Sequence, residues 1–434
     1  MGYISYILNY LMMKYLYLFV LILIFFSCDG NQRDVKEPNP KYGVIDVGSS
    51  VGKGRVVNLS EIASDIKYIP LGTDSTSLIG SFPQVFFENE RIYIRFSRII
   101  KVFDKAGKYL FTFDRRGGGP EEYPASCKTE IESGSGNFRA IFQKGSYTIV
   151  KTYSREGEYI KDFTFPGITR ISKSIKVNPN LFMSQFSHIE NEEQEYIGFM
   201  YDSLCNIEAY IPTPVVLKNY KTDGDQIIKI GNRRIYMSGI TIHSYLHSFK
   251  NTPRIYTFLA DTIYTYNRDS GFVPVYALDY GKYMNEKVSL LDVGPITGKF
   301  INISPWLYIE TENFLLLNFI LREFAHEPFV GKTIQNVGKM RERRDSYGLY
   351  NKISGEFTLL NHPIKGIPGF KDDILKGPPF IPQYMSEDNY AVNLFHPDEL
   401  IDYVAKNHVS PELSKIATTL KESENPVVVL VKLK

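Results

Sequence analysis

Residues 101–120 read KVFDKAGKYLFTFDRRGGGP, and fifty positions further on residues 151–163 read KTYSREGEYIKDF. Laid over one another, Lys101 falls on Lys151, Phe103 on Tyr153, Gly107 on Gly157, Tyr109 on Tyr159 and Phe113 on Phe163. Each copy is an alternating strand, a tight turn carrying glycine, and a second alternating strand, which is the sequence form of a β-hairpin. The glycine supplies the positive φ such a turn needs, at no steric cost. Hairpins recurring at this spacing predict the blades of a β-propeller rather than a helical solenoid.

Weaker copies follow. DTIYTYNRDSGFVPVYALDYG (261–281) turns at Gly271, and GLYNKISGEFTLL (348–360) turns at Gly355. EYIGFMYDSLCNIEAYIPTP (195–214) keeps the form without the glycine. A sixth blade can be assembled from the two ends, DIKYIPLG (65–72) and NPVVVLVKLK (425–434). Pairing them would close the ring and remove an aggregation-prone apolar edge. One region reads helical: Pro397 stands at a first helical position before Asp398 and Glu399, and Ser410 is an N-cap ahead of Pro411. The expected fold is therefore all-β, a six-bladed propeller over residues 56–434 with a helical insertion at about 397–422 in its last blade.

Composition agrees. Of 434 residues 43% are hydrophobic and 23% charged, as in globular chains. Lys plus Arg is 50 against 48 for Asp plus Glu, a balance that speaks against a dedicated polyanion binder, so nucleic acid is not an expected partner. Thirty-one Tyr and 29 Phe beside the single Trp306 suit half-buried strands. Three cysteines make no disulfide framework, and Cys127 and Cys205 read as buried or half-buried thiols.

Residues 13–28, MKYLYLFVLILIFFSC, place Lys14 before a twelve-residue apolar run that is too short to span a bilayer comfortably. Ser27 then precedes Cys28, the order of a bacterial lipoprotein signal, although Phe25 stands where Leu is usual. The expectation is a signal peptide over 1–27, a lipidated Cys28 and a polar flexible tether over 28–55, with plain secretion or a membrane anchor as alternatives. Initiation at Met1, Met12 or Met13 stays open.

The stretch VFDKAGKYLFTFDRRGGGPEEY (102–123) resembles the NHL-type repeat, a strand, a D-x-x-G turn and a second strand leading into a Gly-Pro-Glu loop. Together with LSEIASDIKYIPLGT (59–73), DTIYTYN (261–267) and ENPVVVLVKLK (424–434), the chain resembles the six-bladed β-propeller lipoproteins of Gram-negative anaerobes from Val56 to Lys434. That resemblance implies the fold, export and an outer-membrane address facing periplasm or surface. It implies no activity, because unrelated activities sit on propellers.

Candidate chemistry is sparse. Arg115 and Arg116, before three glycines in DRRGGGPEEY, could hold an anion with backbone N–H groups. The structural alternative has the glycines turning the chain while the arginines pair with Glu121 or Glu122. Arg341, Arg343 and Arg344 in KMRERRDSYG read as a solvated loop, or as a greeting for a carboxylate-bearing sugar or peptide at a channel mouth. His243 and His247 lie on one strand about 13 Å apart, too far for one zinc. His188, His326 and His362 are scattered. Asp372 and Asp373 could serve as acid and base only if their environments separated them. No phosphate loop, nucleophile elbow or Cys–His set is legible, and no cofactor or metal is expected.

The expected role is a ligand-binding or scaffold protein holding a glycan, peptide or protein partner at one mouth of the channel, with membrane contact through the lipid anchor only. The alternative is a propeller enzyme, a lyase or glycosidase, with catalytic residues dispersed over several blades.

Overall fold

The computed structural model describes residues 42–166, 171–186, 196–212, 226–230, 233–237, 244–257, 261–284, 299–332 and 340–434. Six four-stranded antiparallel sheets form the blades of a ring. Blade 1 runs from Gln84 to Phe113, blade 2 from Lys128 to Pro166 and blade 3 from Ile171 to Pro212. Blade 4 runs from Ser244 to Asp279 and blade 5 from Asn302 to Leu359. Blade 6 combines Tyr384–Met385, Tyr390–Phe395 and Val427–Leu433 with Ala63–Pro70. The first strand of each blade in sequence is innermost, except that blade 6 takes its outermost strand from the N-terminal side.

The closure expected from sequence is present. Ala63–Pro70 pairs antiparallel with Val427–Leu433, placing Ile66 opposite Val431 and Pro70 opposite Val427. Tyr390–Phe395 flanks the same strand on its other side. Being central, Val427–Leu433 buries both of its faces, and Val427, Val428, Val429 and Val431 are fully buried. Each such side chain contributes roughly 1.5 kcal/mol of burial, so an uninterrupted valine run is what a closing strand needs. Helices Pro397–Lys406 and Pro411–Thr419 are inserted between the second and third strands of this blade, and Ser410 Oγ accepts from the Leu413 N–H as the expected cap.

All five hairpins singled out in the sequence are the outer pairs of blades 1 to 5. Their turns share one device. Asp104 Oδ1 accepts the N–H groups of Ala106 and Lys108, and Ser154 Oγ and Asp202 Oδ1 make the matching bonds in blades 2 and 3. Gly107 and Gly157 then take φ of +85° and +90°; in the hairpin without glycine, Cys205 adopts φ +64°. The equivalenced lysines also share a role. The Lys101 ammonium lies over Tyr109 and donates to the Thr76 carbonyl, while Lys151 lies over Tyr159 and donates to the Pro120 carbonyl. Each ties its blade to the connection entering that blade.

Part of the segment read from sequence as a tether is built into the ring. Gly43–Asp46, assigned to it from sequence, pairs in parallel with the outer strand of blade 4 and makes that sheet five-stranded. The chain then passes the outside of blade 5, where Arg55 bridges to Leu360, and reaches blade 6 after Asn58 bridges to Lys371. Ile45, Val47, Val57 and Leu59 are fully buried along this belt. GVID is too short a run, between glycines, to announce itself as a strand. The basic stretch at 339–348 also differs from expectation: Met340–Arg343 is a strand, paired with Phe329–Lys332 in a ribbon inserted into blade 5.

Alternating strand direction defines two faces. Connections between blades, and those between second and third strands, leave from one face, called here the connection face. The turns joining first to second and third to fourth strands lie on the other, the turn face. Aromatic rings fill the space between blades 1, 2 and 3: Phe113 of blade 1 stacks on Phe138 of blade 2 at 4.1 Å, and Phe165 of blade 2 meets Tyr201 of blade 3 edge-on at 5.1 Å, whereas Ile175, Met183, Leu246 and Ile255 pack between blades 3 and 4.

Candidate functional site

The inner strands bring together charged residues that lie far apart in sequence. In Lys128–Ile131 (KTEI), alternation sends Lys128 and Glu130 to the same side, and their side chains pair at 2.7 Å. Glu130 stands opposite Arg139 on the neighbouring strand. Arg139 is buried and donates to the Tyr201 hydroxyl of blade 3 at 3.1 Å. Arg95 of blade 1 donates to Gln84 Oε1 and to the Thr129 carbonyl of blade 2. Burial alone would raise the Glu130 carboxyl, but Lys128, Arg139 and Arg95 outweigh it and hold the group below the usual carboxylate value.

Lys173, on the inner strand Ile171–Asn178 of blade 3, faces this cluster. Its side chain is open to water yet deeply enclosed by protein, as befits a group lining the axis. Among the described residues it has no hydrogen-bond or ion-pair partner. Burial pushes its ammonium down to about 8, opposed by Glu130 and reinforced by Lys128. His247 of blade 4 feels Lys173 from the other side. Its ring stacks on Tyr308 at 4.7 Å and on Tyr256 at 5.6 Å, and burial followed by Lys173 holds its pKa well below the usual value. Four cations, Arg95, Lys128, Arg139 and Lys173, thus gather around Glu130 and the neighbouring Glu132. Lys128 and Lys173 begin or nearly begin their inner strands, so this wall lies toward the connection face.

Glu88 ends the inner strand of blade 1 on the turn face. It is buried, accepts from the Tyr384 hydroxyl of blade 6, and accepts from the Ser133 hydroxyl and Gly134 N–H of blade 2. Burial pushes its carboxyl up to about 7; the bonds from Tyr384 and Gly134 oppose this, and Glu387 adds to it. Nearby, a groove of about 550 Å³ crosses the seam of blades 6 and 1 over Phe87, Tyr390 and Leu430. Its rim lysines are taken up internally: Lys105 by Glu90, Lys67 by Asp65, and Lys432 by the Asp388 carbonyl.

The arginines chosen from sequence do not converge. Arg116 chelates Asp114 through two bonds of 2.7 and 2.5 Å, and Arg115 reaches Glu158 at 3.5 Å. Their expected partner Glu122 instead accepts the Gly119 N–H at 2.8 Å. Arg343 chelates Asp345, Arg344 pairs with Glu342, and Arg341 is exposed on the ribbon. These two groups belong to blades 1 and 5, which are not neighbours in the ring. Asp372 accepts from Tyr68, Ile374, Leu375 and Gly377, while Asp373 holds Ser60, so both carboxylates are structural. His362 is buried edge-on to Phe329. His188 and His243 lie outside the described residues. Cys127 is a buried thiol and Cys205 a half-buried one. Among the described residues, no group of three His, Cys, Asp or Glu is placed to hold a metal, and no helix is long and apolar enough to cross a membrane.

Sequence reasoning missed the axial cluster because its members come from four blades and share no motif. One local signal was available: Arg139 interrupts FRAIF, a strand that is otherwise apolar over those residues.

Comparison with known proteins agrees with the architecture. The chain matches a Bacteroides fragilis protein, described as an exported protein, with 18% identity and a TM-score of 0.57 over 91% of this chain and 99% of that one. It also matches a member of the DUF4221 family from Bacteroides vulgatus with 12% identity and a TM-score of 0.47, over 86% and 97% of the two chains. No curated protein matches it. A family described as a domain of unknown function, DUF4934, matches residues 42–432, the whole ring together with its belt. The chain belongs to the DUF4934 family.

Proposed function

We propose that this chain is an exported binding protein, lipid-anchored through Cys28 to the outer membrane of a Gram-negative bacterium, that holds a glycan, peptide or protein partner at the connection-face mouth of its ring. The observation that carries the binding role is the axial cluster. Blades 1 to 4 direct charged and polar side chains to one place that water reaches, whereas the interblade space around it is packed with apolar side chains. Enclosed polar groups converging within an apolar surround are the usual make-up of a ligand site. Export is supported by the leader pattern before Cys28 and by the description of the Bacteroides fragilis relative.

One observation favours the alternative of a lyase or glycosidase: Glu88, with a carboxyl at about 7, lies near a second carboxylate, Glu387. A general acid must reach its substrate, and Glu88 is only 2% exposed with both oxygens engaged by Tyr384, Ser133 and Gly134. Binding is the better reading.

Its test is a glycan and peptide binding screen on the mature chain extracted in detergent. A ligand whose binding weakens on changing axial residues supports the role; catalytic turnover of any library member would replace it with the enzyme reading. For the anchor, Cys28→Ala is expected to move the protein out of the membrane fraction, and retention there refutes lipidation.

A further inference from the structure

Building on the binding role, we infer that the axial site recognises a carboxylate on its ligand, and that the Lys173 ammonium is the group that receives it, with Lys128 and Arg139 forming the rest of the cationic wall. Three observations lead there. First, the only acidic groups of the cluster among the described residues are already committed. Glu130 is paired with Lys128 at 2.7 Å and lies opposite Arg139, and Glu132 accepts from Ser135 at 2.6 Å. Second, the neighbouring cations have protein acceptors, Gln84 and the Thr129 carbonyl for Arg95 and the Tyr201 hydroxyl for Arg139. Lys173 has none among the described residues, so its charge is left to water and to whatever binds there. Third, the position is open to water, so a ligand can arrive where a buried structural lysine would have been sealed in.

Neighbouring groups restrict what can bind. The groups facing Lys173 are Glu130, Lys128 and the ring of His247, whose pKa burial holds well below the usual value and which stacks on Tyr308. An incoming cation would meet four positive charges. A neutral ligand would leave the ammonium unpaired. A carboxylate supplies the missing acceptor and offsets the surplus charge. The ring of His247, stacked on Tyr308, is the aromatic group beside the ammonium.

The test uses the full-length chain and a panel of probes by calorimetry: glucuronate, galacturonate, glucose, and dipeptides with and without an acidic side chain. At least one carboxylate probe should bind, its neutral counterpart at least about tenfold more weakly, with affinity falling as salt is raised. Which acid binds separates a sugar acid from an acidic peptide as the source. Lys173→Met should weaken that probe at least about tenfold while Lys173→Arg retains most of the affinity, because the charge is kept. The Met variant should melt no lower than the parent, since it removes no hydrogen bond or ion pair among the described residues, so loss of binding cannot be assigned to misfolding. Equal binding of acids and neutral counterparts, undiminished binding by Lys173→Met, or no Lys173-dependent binding by any acid overturns the inference. If the wider screen finds a ligand without an anionic group, the binding role stands and the carboxylate assignment falls. If nothing in either set binds, both fall.

Discussion

The hydroxyl of Tyr384, on the inner strand of blade 6, donates to the carboxyl of Glu88, on the inner strand of blade 1. This one bond joins the last and first blades at the axis, while the valine strand joins the chain ends at the rim. The same carboxyl also takes the Gly134 N–H of blade 2, so three blades meet on one titratable group.

That group makes stability depend on pH. Burial raises the Glu88 carboxyl from 4.5 to about 7 in the folded chain. Between those values the folded state keeps a proton that the unfolded state has released. Its contribution is full below about 4.5 and is lost as pH rises through about 7, worth up to about 3 kcal/mol. Glu88→Gln cannot titrate, so urea melts between pH 4.5 and 7.5 should show a shallower decline for the variant than for the parent. Parallel pH profiles would refute this assignment.

Two turn glycines should differ in what alanine costs them. Gly107 has φ +85°, and a Cβ there would lie 2.3 Å from the Pro70 carbonyl of blade 6. Gly271 has φ +69° with open space around it. Gly271→Ala should cost about 1 kcal/mol for backbone strain alone. Gly107→Ala adds a clash with fixed backbone and should cost about 3 kcal/mol or more. Thermal melts of the two variants test the ranking, and equal losses would mean that the seam yields to the extra atom.

Closure predicts that removing residues 425–434 abolishes the cooperative unfolding transition. The deletion takes the central strand of blade 6 and also the Asn425 side chain, which bonds Ile79, Gly72 and Ser77 in the connection to blade 1. The milder Val429→Ala, at a fully buried position, should cost about 2 kcal/mol and leave the ring intact. A deletion variant melting like the parent would refute the closing role.

The belt predicts where a soluble fragment must begin. A chain starting at Tyr42 keeps Gly43–Asp46 on blade 4, whereas one starting at Val56 exposes the outer edge of that blade and loses Ile45 and Val47. The shorter fragment should be less stable by at least about 3 kcal/mol in urea melts, the cost of losing two well-packed apolar anchors. Equal stability would reduce the belt to a passive covering.

Much of the architecture was legible. Asp104, Gly107, Ser154 and Gly157 announce hairpins because a tight turn restricts which residues can occupy it, and the restriction recurs in blades 1 to 5. Val427–Val431 announces a central strand because only burial on both faces tolerates such a run. Arg115, Arg116, Arg343 and Arg344 stood out for charge density, yet adjacent carboxylates at Asp114, Asp345 and Glu342 take up Arg116, Arg343 and Arg344.

Local sequence by itself determined the hairpins, their turns, the helical insertion and the complementary ends, because each depends on interactions between residues near one another or on a pattern that repeats. Only the tertiary structure decided which charges meet. Arg95, Lys128, Glu130, Arg139 and Lys173 face each other because separate blades carry their first and second strands toward a common axis, and whether a cation there has a partner is set by that convergence, not by its neighbours in the chain.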